Sequence, residues 1–554
     1  MNTFSTVKGS FAGGMRYVLG DSSQIAADEY VFLRNGRNAN GVITPVRGVT
    51  ATSKPPGLLQ GLYGFGDFTV AIVAGLVYYK RVADSSWSKV LNVTLSATAP
   101  VVYAVAVPAS SVNRERLLIT TDNEDAGVRF SLAVPGTPSG IVVSDGLTQP
   151  WIIFSDGYAR LTAAYKDWTL DGNREYVPIG ITHLLWANGK MYGVKNGAVI
   201  SSVTGRPLDF VVAIKSNGDK ELDEITGGAE VTSHRADYST PTCLLATGME
   251  DGSLLLGTRN NVYLLMPDFD FTLFGEHTFK QRMINDVGVP THVAGAIIAQ
   301  DFAFVDYKGP KTITELTTFG KGQREGEKDY GFTAPITDLF ESVQQSVVAV
   351  TNFEGYTYFL CTTELGQVIL TWNIVTQRWI SIDYYAGATD LKYFATVRSG
   401  TDSALYVGGD SEIHQCFTGA LETCSLYTND LVRVIGTDGQ PEVKQDLRMA
   451  YVHILFSAAY ENGSVSVTPF AGQQGGTTVT QTVKATTVAQ PVIPFARAFV
   501  ASCPRLSIST PQAPSNWKVG ALVSWNFFGE LSYVGLEATI QKGVTSYGQQ
   551  GFNV

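Results

Sequence analysis

The chain has 554 residues, with Lys+Arg 40 against Asp+Glu 50 and a formal net charge of −10. Charged residues are 16% of it and glycines number 56, against roughly 25% charged residues and about 7% Gly in an average soluble protein. Such a composition excludes a disordered chain, which needs low hydrophobicity and high charge. It also excludes a coiled coil, which needs about half Ala, Glu, Lys, Leu and Arg, and its acidic balance argues against wrapping a nucleic-acid backbone.

What remains is an ordered, turn-rich β protein. Met1 to Gly20 carries no basic region followed by an apolar one, so no signal peptide is expected. The longest apolar run, Phe68 to Tyr79, is interrupted by Thr69 and Gly75 and falls short of the roughly 20 residues of a spanning helix. Cys243, Cys361, Cys416, Cys424 and Cys503 are few and form no Cys-x-x-Cys pair, which predicts reduced thiols.

Short β-prone runs follow one another at hairpin spacing. Gly61–Gly66, Phe68–Ala74, Leu76–Val82 and Trp87–Leu91 form a first set of four. Val101–Val107, Arg116–Thr121, Val128–Ala133 and Gly140–Val143 form a second. Ile181–Ala187, Lys190–Val194 and Ala198–Val203 form a third, joined by Asn188-Gly189 and Asn196-Gly197. Asn-Gly is the sequence signal of a type I′ hairpin, because both central residues take φ > 0. Leu244–Thr247, Ser253–Thr258 and Val262–Met266 repeat the logic, followed by Val293–Ala299, Phe302–Asp306 and Thr312–Leu316. Val347–Asn352, Tyr356–Cys361, Val368–Asn373 and Trp379–Ile382 make the sixth set, and Tyr393–Arg398, Ala404–Val407 and Glu412–Phe417 the last. About seven sets at intervals of about 45–55 residues predict an all-β fold with a β-propeller of about seven blades, six to eight being compatible. The competing arrangement is a series of unrelated β-sandwiches.

Three stretches interrupt the repeats: Ala163–Pro178, Ala213–Tyr238 and Gly320–Tyr330, the last followed by a helix-like Ile336–Val343 with Thr337 or Asp338 as its cap. After Gly419 the texture changes. Arg448–Ala459, Val465–Phe470, Arg505–Ile508, Leu522–Phe528 and Tyr533–Ile540 predict a C-terminal β-sandwich-like domain. The expected division is an N-terminal arm and entry strand over 1–57, a propeller with long inserted loops over 58–418, and the C-terminal β-sandwich-like domain over 419–554.

No phosphate-binding loop, nucleophile elbow or His-Glu-x-x-His motif is present. His183, His234, His277, His292, His414 and His453 are scattered, and His183 and His453 fall in apolar strands where packing is the expected role. Neither a catalytic set, a metal site nor a cofactor is predicted. Two carboxylates flanking a sugar would mark a glycosidase; Asp268 and Asp270 are the nearest pair, with an exposed turn as the plainer reading. Asn123–Phe130 matches a sialidase Asp-box only at Asp125, Gly127 and Phe130. The acidic loop Asp219, Glu221, Asp223, Glu224 lacks the spacing of a calcium loop and reads as solvated surface, with weak divalent binding as the alternative. Lys321, Arg324, Glu325, Glu327, Lys328 and Asp329 mix both signs in one long loop. A loop of mixed sign is usually solvated surface, and the functional alternative is a mobile loop that meets a partner subunit or a passing polyanion.

The segments Ser10–Arg16, Asp28–Val46 and Arg47-Gly48 resemble the N-terminus of the tail nozzle (tail tubular protein B-like) family of short-tailed bacteriophages. Trp186–Val194 with Ser201–Phe210, Leu254–Met266, Phe279–Gly288, Phe302–Gly309, Ile336–Phe340 and Trp525–Phe528 with Leu536–Ile540 are similar to later segments of that family. The resemblance implies a non-enzymatic virion component made in the host cytoplasm. It implies a hexameric ring below the portal and adaptor, bound to tail fibre or spike proteins, that forms the DNA channel and retains the genome until ejection. An acidic wall would let double-stranded DNA slide past without adhering. The alternatives are a receptor- or carbohydrate-binding tail-tip propeller and a propeller glycoside hydrolase. Because Lys321–Asp329 has almost no apolar content, its deletion is expected to leave the unfolding temperature unchanged. The resemblance implies inward loops that close the channel, which makes this stretch a candidate channel or gate loop. If it lies in the channel, particles carrying the deletion should lose packaged DNA, and normal retention would remove the gate assignment.

Overall fold

The Asn188-Gly189 pair shows how local sequence sets the architecture. Both residues lie at positive φ, 52° and 72°, and they join Thr182–Ala187 to Lys190–Lys195 in antiparallel register, as the type I′ signal requires. The protein is described from a computed structural model over residues 12–17, 25, 29–39, 42–90, 93–108, 115–121, 151–154, 159–161, 177, 180–195, 197–208, 210, 213–214, 220–221, 229–232, 240–249, 252–266, 280–299, 301–319, 332–385, 387–399, 402–420, 422–428, 447–456, 463–471, 474–483, 492–501, 504–512 and 519–528. These residues are almost entirely β-stranded, in several sheets, with one short α-helix and one 3₁₀ helix.

Seven antiparallel groups follow one another along the chain. Sheet 1 is Leu59–Phe65, Phe68–Val73, Leu76–Arg81 and Ser88–Lys89. Sheet 2 is Val102–Val107, Arg116–Thr121, Trp151–Phe154 and Ala159–Leu161. Sheet 3 is Thr182–Ala187, Lys190–Lys195, Ala198–Ser201 and Ala229–Thr232, and sheet 4 is Pro241–Ala246, Leu254–Thr258, Asn261–Met266 and Lys280–Asn285. Sheet 5 has three strands, Gly295–Ile298, Asp301–Asp306 and Gly309–Thr312. Sheet 6 is Ala349–Phe353, Tyr356–Thr363, Gly366–Asn373 and Arg378–Asp383. Sheet 7 is Leu391–Ser399, Asp402–Gly409 and Ile413–Gln415, and its fourth strand is Thr50–Ala51, from before sheet 1.

The first strands of these groups pack side by side. Leu59–Phe65 lies against Val102–Val107, which lies against Thr182–Ala187, which lies against Pro241–Ala246. Gly295–Ile298 lies against Ala349–Phe353, which meets Leu391–Ser399, which meets Leu59–Phe65 again. Sheets 4 and 5 touch where a Cβ on Gly248 would fall 2.5 Å from Ile297.

Separate apolar cores fill the spaces between successive groups. On Phe68–Val73, where every residue is buried, Phe68, Val70 and Ile72 join a core shared with Val102, Leu117 and Ile119 of sheet 2. Ala71 and Val73 point the other way, into a core with Tyr393, Val397 and Tyr406 of sheet 7. Alternation with a period of two thus feeds both faces, and such strands read as continuous apolar runs. Such two-faced burial leaves these strands few positions for charged side chains. Each fully buried Val, Leu or Ile contributes about 1.5–3 kcal/mol.

The termini share two further sheets. Glu29–Arg34 pairs with Gly14–Met15, with Cys424–Thr428 and, through Arg34, with Ile382 at the edge of sheet 6. The same sheet continues through Pro504–Gln512 and Gly463–Ala471. Gly36–Ala39 and Val42–Pro45 lead a five-stranded sheet completed by Val519–Phe528, Leu447–Phe456 and Val492–Ala501. The segment read as an arm is therefore woven into the C-terminal strands. Arg37 pins it to sheet 6: its Nη2 lies 2.8 Å from Asp383 Oδ2, and its Nη1 donates to Ser381 Oγ at 2.9 Å. The guanidinium also stands over Tyr356, Tyr358 and Phe417. Asp383 accepts from Ser381 and Thr371 as well, so the buried charge is paired and hydrogen-bonded as burial demands.

Several expectations are corrected. Thr312–Leu316 is not a strand: Gly309–Thr312 ends sheet 5 and Ile313–Phe319 is an α-helix. Thr312 Oγ1 accepts the Glu315 N–H at 3.1 Å, half of the capping box that Thr-x-x-Glu encodes. The second helix is 3₁₀, Ala334–Phe340, with Pro in its first turn and no side-chain cap from Thr333. The expected insertion Ala213–Tyr238 supplies the fourth strand of sheet 3, Ala229–Thr232, and a small pair, Ala213–Ile214 with Lys220–Glu221. Sheet 2 takes its outer strands from Trp151–Phe154 and Ala159–Leu161; Val128–Ala133 and Gly140–Val143 lie outside the described residues.

The contact between sheets 1 and 7 is tight enough to test. A Cβ on Gly64 would lie 1.9 Å from the Thr396 carbonyl oxygen, whereas nothing lies within 4 Å of one on Gly66. Gly64→Ala is expected to lower stability in chemical denaturation by about 1–3 kcal/mol or more, through a forced backbone shift. Gly66→Ala, with only its positive φ to strain it, should cost about 1 kcal/mol. Equal effects would contradict the close approach.

Candidate functional site

The first strands of sheets 2, 3, 4 and 7, with the segments that precede sheets 5 and 6, line a cavity of about 460 Å³. Its wall takes Tyr103 from sheet 2, His183 from sheet 3, Thr242 from sheet 4, His292 from the turn before sheet 5, and Lys392 and Tyr393 from sheet 7. None of the described residues lining it is an Asp or Glu.

Local structure explains how these side chains meet. His183 has φ 51°, unusual for a non-glycine residue, and sits where the register of sheet 3 shifts between Thr182 and Leu185. A bulge of this kind re-aims a side chain. The His183 ring lies 4.7 Å from that of Tyr103, with His292 on Tyr103 at 5.0 Å. His292 also approaches Tyr393, with 6.2 Å between centroids.

Hydrogen bonds fix the polar edges. The Tyr63 hydroxyl donates to the Val102 carbonyl, so its oxygen is left to accept from His292 Nε2 at 3.4 Å. That arrangement places the His292 proton on Nε2 and leaves Nδ1 as an acceptor. His183 Nδ1 lies 2.8 Å from Thr182 Oγ1. Thr291 Oγ1 donates to the Val348 carbonyl at 2.7 Å. Lys392 Nζ lies 2.5 Å from Asp410 Oδ2, and Asp410 Oδ1 accepts the Leu59 N–H at 3.2 Å, tying sheet 7 to sheet 1. The Tyr393 hydroxyl has no hydrogen-bond partner among the described residues.

Burial keeps both imidazoles neutral. It lowers His183 to about 4 and His292 to about 3, the latter helped by the neighbouring His183. Burial, with Asp410 adding to it, pushes the Tyr393 phenol up to about 12. Among the described residues the chamber is lined by neutral aromatic groups, threonines, valines and prolines and by one paired cation, with no carboxylate. It can donate and accept hydrogen bonds and pack apolar surface.

The residues singled out from sequence are placed as follows. Lys321, Arg324, Glu325, Glu327, Lys328 and Asp329 lie outside the described residues. The chain on either side of them is anchored: Thr333 Oγ1 donates to Glu315 Oε2 at 2.7 Å, and Phe332 packs on Trp372 and Trp379. Glu221 lies in the strand Lys220–Glu221, while Asp219, Asp223 and Glu224 lie outside the described residues, as do Asp268, Asp270 and Asn123–Phe130. Among the described residues no group of three His, Cys, Asp or Glu could hold a metal ion. Cys243, Cys361, Cys416 and Cys424 are buried free thiols. His183 was expected to pack, and it does, but on Tyr103 at the cavity. Sequence reading missed the meeting of His183 with His292, which stand over a hundred residues apart with no shared motif.

No protein-family model matches the chain, and no curated protein does. Among solved structures, it is similar to PorZ, a bacterial surface component of the type-IX secretion system of Porphyromonas gingivalis. There the TM-score is 0.32 and the identity 9%, over 70% of this chain and 43% of that one. It is also similar to apo AztD from Citrobacter koseri, at TM-score 0.28 and 10% identity over 59% of this chain and 73% of that one. The chain thus spans less than half the length of the first of these, and likeness at this level carries no functional argument.

The buried imidazoles give a pH prediction. Their folded pKa values lie below the unfolded value of about 6.5, so their contribution to stability is complete above pH 6.5. It declines as pH falls through 6.5 toward 4 for His183 and toward 3 for His292. For His183 alone the loss is of order 2 kcal/mol by pH 5. Denaturant unfolding between pH 7 and 5 should show this slope, and His183→Gln should flatten it by about one proton. An unchanged slope would show that His183 titrates normally.

Proposed function

We propose that the seven sheets are blades of one β-propeller, and that the chain is a non-enzymatic structural subunit of a short-tailed bacteriophage tail nozzle. The propeller reading is supported by the succession of first-strand contacts and by Thr50–Ala51, which completes the last sheet with a strand from before the first. Radial packing of this kind leaves only short edges exposed.

One observation carries the nozzle reading. The segments that bear the family resemblance, Ser10–Arg16 and Asp28–Gly48, coincide with structural junctions. Gly14 lies at φ 95°, where a Cβ would fall 3.0 Å from the Trp379 carbonyl oxygen. Tyr30, wholly buried, donates to the Ile380 carbonyl at 2.8 Å, and Arg37 pairs with Asp383. Gly48 exchanges backbone hydrogen bonds with Ala420 and Gly419, where the chain passes toward the C-terminal strands. The resemblance therefore falls on residues with specific architectural work.

In this reading the cavity at the hub is not the DNA path. A space of about 460 Å³ cannot admit a duplex whose major groove alone is about 12 Å wide. The channel lies between subunits, as a ring requires, and the net charge of −10 favours sliding over adhesion. Adaptor, fibre and spike contacts would then fall on the outer surfaces of that ring.

The full chain, alone and with a tail adaptor, should form six-subunit rings by native mass measurement and negative-stain imaging. A monomer or trimer under both conditions would overturn the nozzle assignment.

A further inference from the structure

The hub cavity is more elaborate than packing alone demands. Its wall combines a phenol on Tyr393 with no hydrogen-bond partner among the described residues, an acceptor nitrogen on His292 left over from the Tyr63 contact, and Lys392. The Tyr103 ring lies beside them. The backbone at His183 is held in a sparsely populated conformation at the same wall, the kind of local strain that collects at ligand sites. A volume of about 460 Å³ falls in the ordinary range of small-molecule sites.

The chemistry of the wall selects among ligand classes. An anion finds only Lys392, whose charge is already offset by Asp410 at 2.5 Å. A cation finds no carboxylate in the lining and meets the Lys392 charge. A metal ion finds two imidazoles without a third ligand, since no group of three exists among the described residues. A neutral ligand with several hydroxyls suits every group present. Its O–H groups can donate to His292 Nδ1 and accept from Tyr393 and Lys392, while its C–H face packs on an aromatic ring.

We propose that this cavity is a binding site for a neutral sugar, one or two pyranose rings, hydrogen-bonded to Tyr393, His292 and Lys392 and packed on Tyr103. The absence of carboxylates from the described lining makes it a site of recognition without hydrolysis, since glycoside cleavage needs a pair of acids across the bond. The inference rests on the cavity and not on ring assembly, which is read separately by mass.

The test is calorimetric titration and ligand-observed NMR on the full chain. The probes are the methyl glycosides of glucose, galactose, N-acetylglucosamine and rhamnose, and maltose, lactose and chitobiose. Inorganic phosphate and tetramethylammonium serve as charged comparators. At least one sugar should bind at about 10 mM, enough to fill most of a site with Kd near 1 mM. Tyr393→Phe, which keeps the ring and removes only the unpartnered hydroxyl, should weaken it about 5–10-fold, the usual worth of one hydrogen bond. His292→Gln should weaken the same sugar, with the unfolding transition of each variant confirming that it is folded. The proposal is overturned if no sugar binds, if phosphate or tetramethylammonium binds more tightly than every sugar, or if both folded variants bind as the parent does.

Discussion

Burial of both faces of each inner strand is the constraint on which this structure depends. A sheet with one wet face can stand at the surface, whereas Phe68–Val73 is buried at every position and needs a neighbour on each side. Sheet 2 covers Val70 and Ile72, and sheet 7 covers Ala71 and Val73. The same requirement recurs between sheets 2 and 3, through Leu118 and Met191, and between sheets 3 and 4, through Val194 and Leu256. A series of sheets that all need two neighbours has no satisfactory end. A chain can meet that condition by bringing its last sheet back to its first; here Leu391–Ser399 of sheet 7 lies against Leu59–Phe65 of sheet 1, the contact on which the proposed propeller rests.

Backbone pairing near the N-terminus holds sheet 7 to the chain that precedes sheet 1. Thr50–Ala51 pairs with Ile413–Gln415, and Thr52 reinforces it through backbone and hydroxyl donation to the Ile413 carbonyl. A two-residue strand is weak by itself. It gains from what lies before it, because Val42–Pro45 pairs with Val519–Phe528 and Arg37 is locked to Asp383. The terminal sheets and sheets 6 and 7 are thereby coupled through a few polar contacts, and loss of the buried Arg37–Asp383 pair leaves uncompensated charge.

Much of this was legible in the sequence. Strand runs such as Tyr356–Cys361 and Val368–Asn373 were read within a few residues of the observed Tyr356–Thr363 and Gly366–Asn373, because hairpin periodicity is local. The helix Ile313–Phe319 was missed because its β-branched Ile313, Thr314 and Thr317 favour strands, while the deciding signal was the Thr312–Glu315 cap. An entry strand is expected within 1–57, but neither its place at Thr50–Ala51 nor its pairing is legible, because the partner lies more than 360 residues away and no local rule registers such a pairing. The cavity failed to appear for the same reason. Tyr103, His183, His292 and Tyr393 belong to separate repeats, and only their convergence makes a site.

Under the proposed reading of the seven sheets as one propeller and of the chain as a nozzle subunit, the central space of about 460 Å³ is too small for DNA, and the passage would be built by several copies around an axis outside each propeller. Electron cryomicroscopy of the assembled full chain tests this most directly. The account predicts seven sheets per subunit, an axis occupied by the Tyr63, Tyr103, His183, His292 and Tyr393 side chains, and a central channel bounded by six subunits. A map in which a single subunit encloses an open channel along its own axis, or in which Thr50–Ala51 stands apart from sheet 7, would contradict it.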